Sequence, residues 1–483
     1  MGRDQFLTDE IARAAFRGEA LGSAWTRWHC KRMAGKTLNA KNLEALGADR
    51  LAELVMDLVQ GSAPLKREAR AALLEASGSE ALANEVRKRL ATIRRSKSRV
   101  NWRKRKVFLR DLTNQRDIIV TRIAPDNPTT AHDLLWQFLE LSDPISYRVN
   151  DEQGDFARMF GEACEHLAPI AIAAKIEPPL LADRIFTAVT DFSGTGVFDP
   201  LIGQMQQALG EEGMAMLKTR FTTALDDPEW DGDAVLRIGL MTIADLQGDA
   251  DGYAAQYDPA MRKMPRVAAK IAERLVAAER ANEALDLLDA ADTDDGFPIE
   301  WVDAKIAALD AMGQGDEAQK MRWQAFLSSF LPKFLRDYIQ RLPDFDDVEA
   351  EESGLDHVIE KSPVHHALLF LIEWPALDRA ASFVMDRRTA FDGNRYYQLS
   401  PAADALEGKH PLAATALRRI MIEDALNGGR SSRYKHAARH LLECESADAV
   451  IDDYGLLTSH EKFVAGLRDR HNRKCAFWEL VSE

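Results

Sequence analysis

Apolar residues along this chain recur at steps of three and four far more often than at steps of two. In HPLAATALRRIMIEDAL (410–426), Leu417, Ile420, Met421 and Ala425 fall at i, i+3, i+4 and i+8, the spacing of one helix face. Alanine and leucine are abundant, and alternating β-branched runs are scarce. VFLRDL (107–112) and DIIVTRI (117–123) come nearest to a strand pattern, and both read better as helix. IAPDNPTT (123–130) and KIEPPLL (175–181) read as turns, because proline stops or starts a helix. The expected class is all-α.

A repeat overlies that pattern. GDADGYAA (248–255), ANEALDLL (281–288) and GDEAQKMR (315–322) each follow a helix-like segment and restart a helix after a small residue and an Asn or Asp. With Asp249, Asn282 and Asp316 taken as equivalent, the steps are 33 and 34 residues; WPALDRAASF (374–383) and GKHPLAATAL (408–417) align at a step of 34. Two helices per unit at this period resemble a tetratricopeptide-type array, an α-solenoid of antiparallel helix pairs. The aromatic and proline positions of that consensus are mostly absent, so the repeat is divergent. DFDDVEAEESG (344–354), acidic and poor in bulky apolar residues, interrupts the register and reads as an exposed loop.

The expected organisation is an N-terminal extension (1–37), a helical region (38–150), helical repeats (151–343), the acidic loop, and C-terminal repeats (355–483) closed by a capping helix over 460–481. In that last helix Phe463, Leu467, His471, Cys475 and Trp478 fall on one stripe, with His471 as a hydrogen-bonded seam residue. ALRRIMIEDALNGGRSSRYKHAARHLLEC (416–444) and HEKFVAGLRDRHNRKCAFWEL (460–480) resemble an uncharacterised bacterial family of helical-repeat proteins. FSGTGVFDPLI (192–202) and LLWQFLELSDPISYRVND (134–151) fit it too. Similar repeats follow SWIM zinc-binding modules. The CxC and CxH pairs of that module do not occur in this chain, so its zinc site does not transfer.

Composition narrows the function classes. A net charge of −15 argues against a surface that binds nucleic acid or anionic lipid throughout. No apolar run reaches the ~18 residues of a membrane span, and no signal-peptide core is evident, so a cytoplasmic protein is expected. Cys30, Cys164, Cys444 and Cys475 lack CxxC spacing and fit reduced thiols.

One segment departs from the acidic average. VRKRLATIRRSKSRVNWRKRKVFLR (86–110) carries twelve Lys and Arg and no acid. Within it Arg94, Arg95, Lys97, Arg99, Arg103, Lys104, Arg105 and Lys106 surround Trp102, a pattern suited to phosphate backbones through counterion release and stacking. The alternatives are that it docks on the protein's own acidic repeats, docks on an acidic partner, or is simply a solvated helix face. A metal site is the other candidate. His436, His440 and Cys444 lie at i, i+4 and i+8, and His471 and Cys475 at i and i+4, so two packed helices would offer zinc nitrogen and sulfur ligands. GDADGYAAQYD (248–258) lacks the first acid of a calcium loop, AGKT (34–37) the leading glycine of a phosphate loop, and FSGTG the spacing of a nucleophile elbow. No catalytic constellation and no cofactor are expected. A scaffold that recognises a protein partner is the favoured function, with nucleic-acid binding through 86–110 as the alternative and a cryptic or metal-dependent enzyme behind both.

Overall fold

The computed structural model describes residues 38–482 other than 63–64, 68, 71–72, 74–77, 192–193, 195, 229, 231 and 293–295. The expected extension 1–37, with Cys30 and AGKT, lies outside them, as does most of FSGTG. Every regular element among the described residues is helical. None of these helices is long and apolar enough to cross a membrane. The chain divides into two compact units, one ending at Gln256 and the other beginning at Tyr257.

The first unit includes helices Ser79–Arg95, Trp102–Ile118, Pro128–Leu139, Asp155–Glu165, Pro178–Asp191, Gln206–Leu225 and Asp233–Gln247. VFLRDL and DIIVTRI are helical as expected, the second passing into a π-helical turn at Ile119–Ile123. Asn127 caps Pro128–Leu139, its side chain accepting the Thr130 N–H at 3.1 Å, and Pro128 stands first in the helix, where no amide bond is lost. One continuous core runs from Leu82 to Ile243, with Trp136 stacked on Phe198 and Phe138 against Phe160.

In the second unit Pro411–Asn427 is the central helix. Its first half belongs to a cluster reaching back to Ile306, and its second half to a cluster reaching forward to Phe477. That position corrects the one-face reading of ALRRIMI: Ala413 to Arg419 are all buried, including both arginines. Gly393 lets a neighbouring backbone approach this helix, since a Cβ there would sit 2.5 Å from the Ile420 carbonyl oxygen.

Four helix ends share one stop geometry. Asp249, Arg280, Gln314 and Arg430 each donate a backbone N–H to the carbonyl five residues earlier, at 2.8–3.1 Å. The residue before each is left-handed: Gly248, Glu279, Gly313 and Gly429. This is the 6→1 bond of a Schellman helix stop. The matching positions are therefore Asp249, Arg280 and Gln314, whereas Asn282 and Asp316 sit two residues further on, in the first turns of Ala281–Asp289 and Gly315–Ser329. Asp at a cap and Asn or Asp in a first turn look alike in sequence but occupy different positions. Trp374 and Gly408 do correspond, each standing at a helix C-cap.

Two expectations are corrected outright. The acidic stretch 344–354 is not a loop, because Asp346–Lys361 is a helix that buries Gly354, Leu355 and Val358. Asp346, Asp347 and Glu349 occupy its first turn, where the helix dipole favours negative charge. Further along it, Glu351 accepts the Trp374 indole N–H at 2.6 Å, and Arg379 pairs with Asp356 and Glu352. The capping helix 460–481 is two helices, His460–His471 and Cys475–Ser482. Cys475 consequently leaves the stripe and is exposed. His471 is buried, but its Nε2 has no hydrogen-bond partner among the described residues; its carbonyl accepts the Trp478 indole N–H at 3.0 Å.

Candidate functional site

The basic segment spans the end of Ser79–Arg95, a connection over 96–101 and the start of Trp102–Ile118. Its cations divide by partner. Arg89 donates from Nε to Asp111 at 2.9 Å, and Arg67 reaches the other oxygen of that buried carboxylate at 3.0 Å. Arg94 pairs with Glu140, and Arg105 lies 3.0 Å from both Asp151 and Asp155. These arginines dock on the unit's own acids. Lys88, Arg95, Lys97, Arg99, Lys104 and Lys106 are instead exposed and make no ion pair among the described residues.

Those exposed side chains gather on and beside the connection. Trp102 opens the second helix and is 78% exposed, with the Arg103 guanidinium 5.2 Å from its ring centre. Asn101 caps that helix by accepting the Lys104 N–H at 3.0 Å. The connection is held from beneath by Arg148. Its guanidinium donates to the Ile93 carbonyl (3.0 Å), the Ser98 carbonyl (3.0 Å) and Ser96 Oγ (3.1 Å), while its own carbonyl accepts the Val100 N–H at 2.9 Å. Burial pushes the Arg148 pKa below its ordinary value, yet a guanidinium keeps its proton. One cation, spent internally, therefore fixes the backbone that carries the exposed ones.

The proposed metal ligands do not converge. His436 and Cys475 are exposed. Cys444 is buried, and burial pushes its thiol up to about 12, so without a metal the sulfur is protonated. His440 is committed to Glu443 and Ser400. Among the described residues no group of three or more His, Cys, Asp or Glu is arranged to hold an ion. In GDADGYAAQYD, Asp249 accepts the Gly252 N–H at 2.8 Å and meets Lys218 at 3.2 Å, the work of a helix cap.

Two residues carried no sequence signal beyond a charged pair in an apolar helix. Arg418 is 1% exposed and reaches Asp404 (3.2 Å), Glu407 (3.1 Å) and Glu443 (3.0 Å). Burial works against its charge, but the Glu407 hydrogen bond and the field of Glu443 outweigh it and raise the pKa. On Arg419 burial prevails and the pKa falls. That guanidinium donates to the Thr458 carbonyl at 2.6 Å and otherwise faces the rings of Phe463 and Tyr454, at 4.4 and 5.1 Å.

Among the described residues the protein is all-helical, and its basic segment forms an exposed, braced cationic turn. The chain belongs to a family of unknown function, DUF6880, whose model matches residues 33–235 and again residues 229–480. No curated protein and no solved structure matches it.

Proposed function

We propose that the turn between Ser79–Arg95 and Trp102–Ile118 binds the phosphate backbone of single-stranded nucleic acid. The observation that carries this reading is the sorting of cations: those with acids nearby are docked, and those around exposed Trp102 are not. A net charge of −15 then steers the polymer away from the rest of the surface and toward this turn. Backbone contacts from Arg95, Lys97, Arg99, Lys104 and Lys106, with a base stacked on the indole, need no sequence motif.

The Schellman stops support reading the second unit as an α-solenoid of antiparallel helix pairs, a divergent tetratricopeptide-like array. Architecture alone names no protein partner. The test is anisotropy of a labelled single-stranded oligonucleotide. With five phosphates neutralised, affinity should fall about a hundredfold between 50 and 200 mM salt. Trp102→Ala should cost roughly 1–3 kcal/mol, the value of one stacked base. Salt-independent binding, no binding, or equal affinity for an acidic polypeptide overturns the proposal, the last outcome pointing to an acidic protein instead.

A further inference from the structure

Ser400, on the helix Tyr396–Glu407, places its Oγ 3.3 Å from His440 Nε2 on the helix Tyr434–Asp448. One turn along that second helix, Glu443 Oε2 lies 2.9 Å from His440 Nδ1. Glu443 is itself held, by Arg439 at 3.2 Å and by the buried Arg418 at 3.0 Å. A carboxylate only accepts, so Nδ1 carries the imidazole proton and Nε2 presents its lone pair to the Ser400 hydroxyl. Met421 Sδ, 3.4 Å from Ser400 Oγ, is the weaker rival acceptor.

The geometry points to Ser400 as a nucleophile that His440 deprotonates, Glu443 orients and a short-chain acyl ester acylates. A hydrogen-bonded nucleophile, base and orienting carboxylate in series is the arrangement such chemistry requires. Ser400 and His440 both line a cavity of about 340 Å³, a size that takes a small molecule. Burial lowers the His440 pKa against the opposing Glu443 hydrogen bond, which keeps the ring a neutral base at pH 7. The usual backbone donor to an oxyanion, the amide after the nucleophile, is missing because residue 401 is proline. Arg433 is the cation lining the same cavity; its guanidinium stacks 4.5 Å from the Tyr396 ring, donates to Asn394 at 2.9 Å and lies 3.7 Å from Asp424. In this proposal it would have to turn from those partners to face a developing oxyanion.

The step balances within these groups. Oγ bonds to the ester carbonyl carbon as its proton passes to His440 Nε2. The C–O bond to the alcohol then breaks, and the alcohol leaves with that proton. Water, delivering a proton to the same nitrogen, attacks the acyl-serine, and the carboxylic acid and free Ser400 are regenerated. Glu443 and Arg418 are positioning residues.

The test treats the full chain with a fluorophosphonate, in which Oγ displaces fluoride at phosphorus, and maps the adduct by mass spectrometry. The expected result is a single adduct on Ser400 and turnover of p-nitrophenyl acetate, both abolished by Ser400→Ala. His440→Gln should slow labelling by about 10²–10⁴-fold, the usual worth of a general base. Glu443→Gln should slow it too, with Glu443→Asp, which keeps the carboxylate, restoring part of the rate. Ser400→Ala takes a hydrogen-bond partner from the buried His440 Nε2, so its melting temperature should fall slightly while the protein stays folded at the labelling temperature, which the melting curve checks. An adduct at another residue, or none on the parent protein, overturns the inference. Oligonucleotide binding should be the same in Ser400→Ala, which separates this site from the basic turn.

Discussion

Acidification should destabilise the first unit through one histidine. His132 is 3% exposed, and its Nε2 accepts the Trp136 indole N–H at 3.0 Å. Protonating that nitrogen would set two donors face to face in the core. Nδ1 gains nothing in exchange: it is buried without a hydrogen-bond partner among the described residues, and Asp133 is 3.9 Å away. Burial, reinforced by the charge of Arg184 and only partly opposed by Asp133, holds the imidazole pKa at about 4 against an ordinary 6.5. The folded pKa is the lower one, so the unfolded chain binds more protons below pH 6.5. The stabilisation is therefore complete above that pH and is lost as pH falls toward 4. By linkage the loss is about 2 kcal/mol at pH 5 and about 3 kcal/mol at pH 4, relative to neutrality. His132→Gln keeps an acceptor for the indole but cannot titrate. Urea denaturation followed by tryptophan fluorescence at pH 7, 5 and 4 should show the parent losing stability more steeply than the variant by these amounts. Parallel pH dependences would refute the reasoning.

Two further substitutions probe the second unit. Arg418→Met strands Asp404, Glu407 and Glu443, but these are partly solvated, so the cost is mainly the lost charge-assisted bonds, about 3 kcal/mol. A urea midpoint unchanged from the parent would contradict it, and Arg418→Lys should fall between the two. Gly393→Ala should cost roughly 2 kcal/mol or more by overpacking, its Cβ lying 2.5 Å from the Ile420 carbonyl oxygen and 2.6 Å from Asp424 Cβ. Gly466→Ala, on a helix with nothing within 4 Å of the new Cβ, should instead be neutral or slightly stabilising. Equal thermal shifts for the two glycines would refute the close-approach account.

The helical class was legible because the 3.6-residue period is local, and so were the helix starts at Pro128 and Pro178. DFDDVEAEESG misled because its helix meets the core along a narrow stripe and uses its acids for the dipole and for Trp374 and Arg379. In the basic segment the charge could be read, but its sorting could not: Arg89, Arg94 and Arg105 find their acids 22 to 50 residues away. The same separation hid the serine relay. His440 and Glu443 share a helix and an i, i+3 spacing, whereas Ser400 stands forty residues upstream in an unremarked alanine-rich helix. Proline breaks were read as turns, and the 473–474 stop, which has no proline, was not.

The adjacent arginines of Pro411–Asn427 have a consequence for assembly. Successive side chains diverge by about 100° around a helix axis. Arg418 accordingly enters a carboxylate socket, while Arg419 enters one built of two rings and a carbonyl. Rotating the helix, or sliding it by one turn of about 5.4 Å, withdraws both guanidiniums from the places that fit them. The surrounding alanines and leucines would tolerate such a slip, since small apolar surfaces pack in many registers. Arg418 and Arg419 act as a two-toothed key: the apolar residues set how tightly this helix is gripped, and the arginines set where.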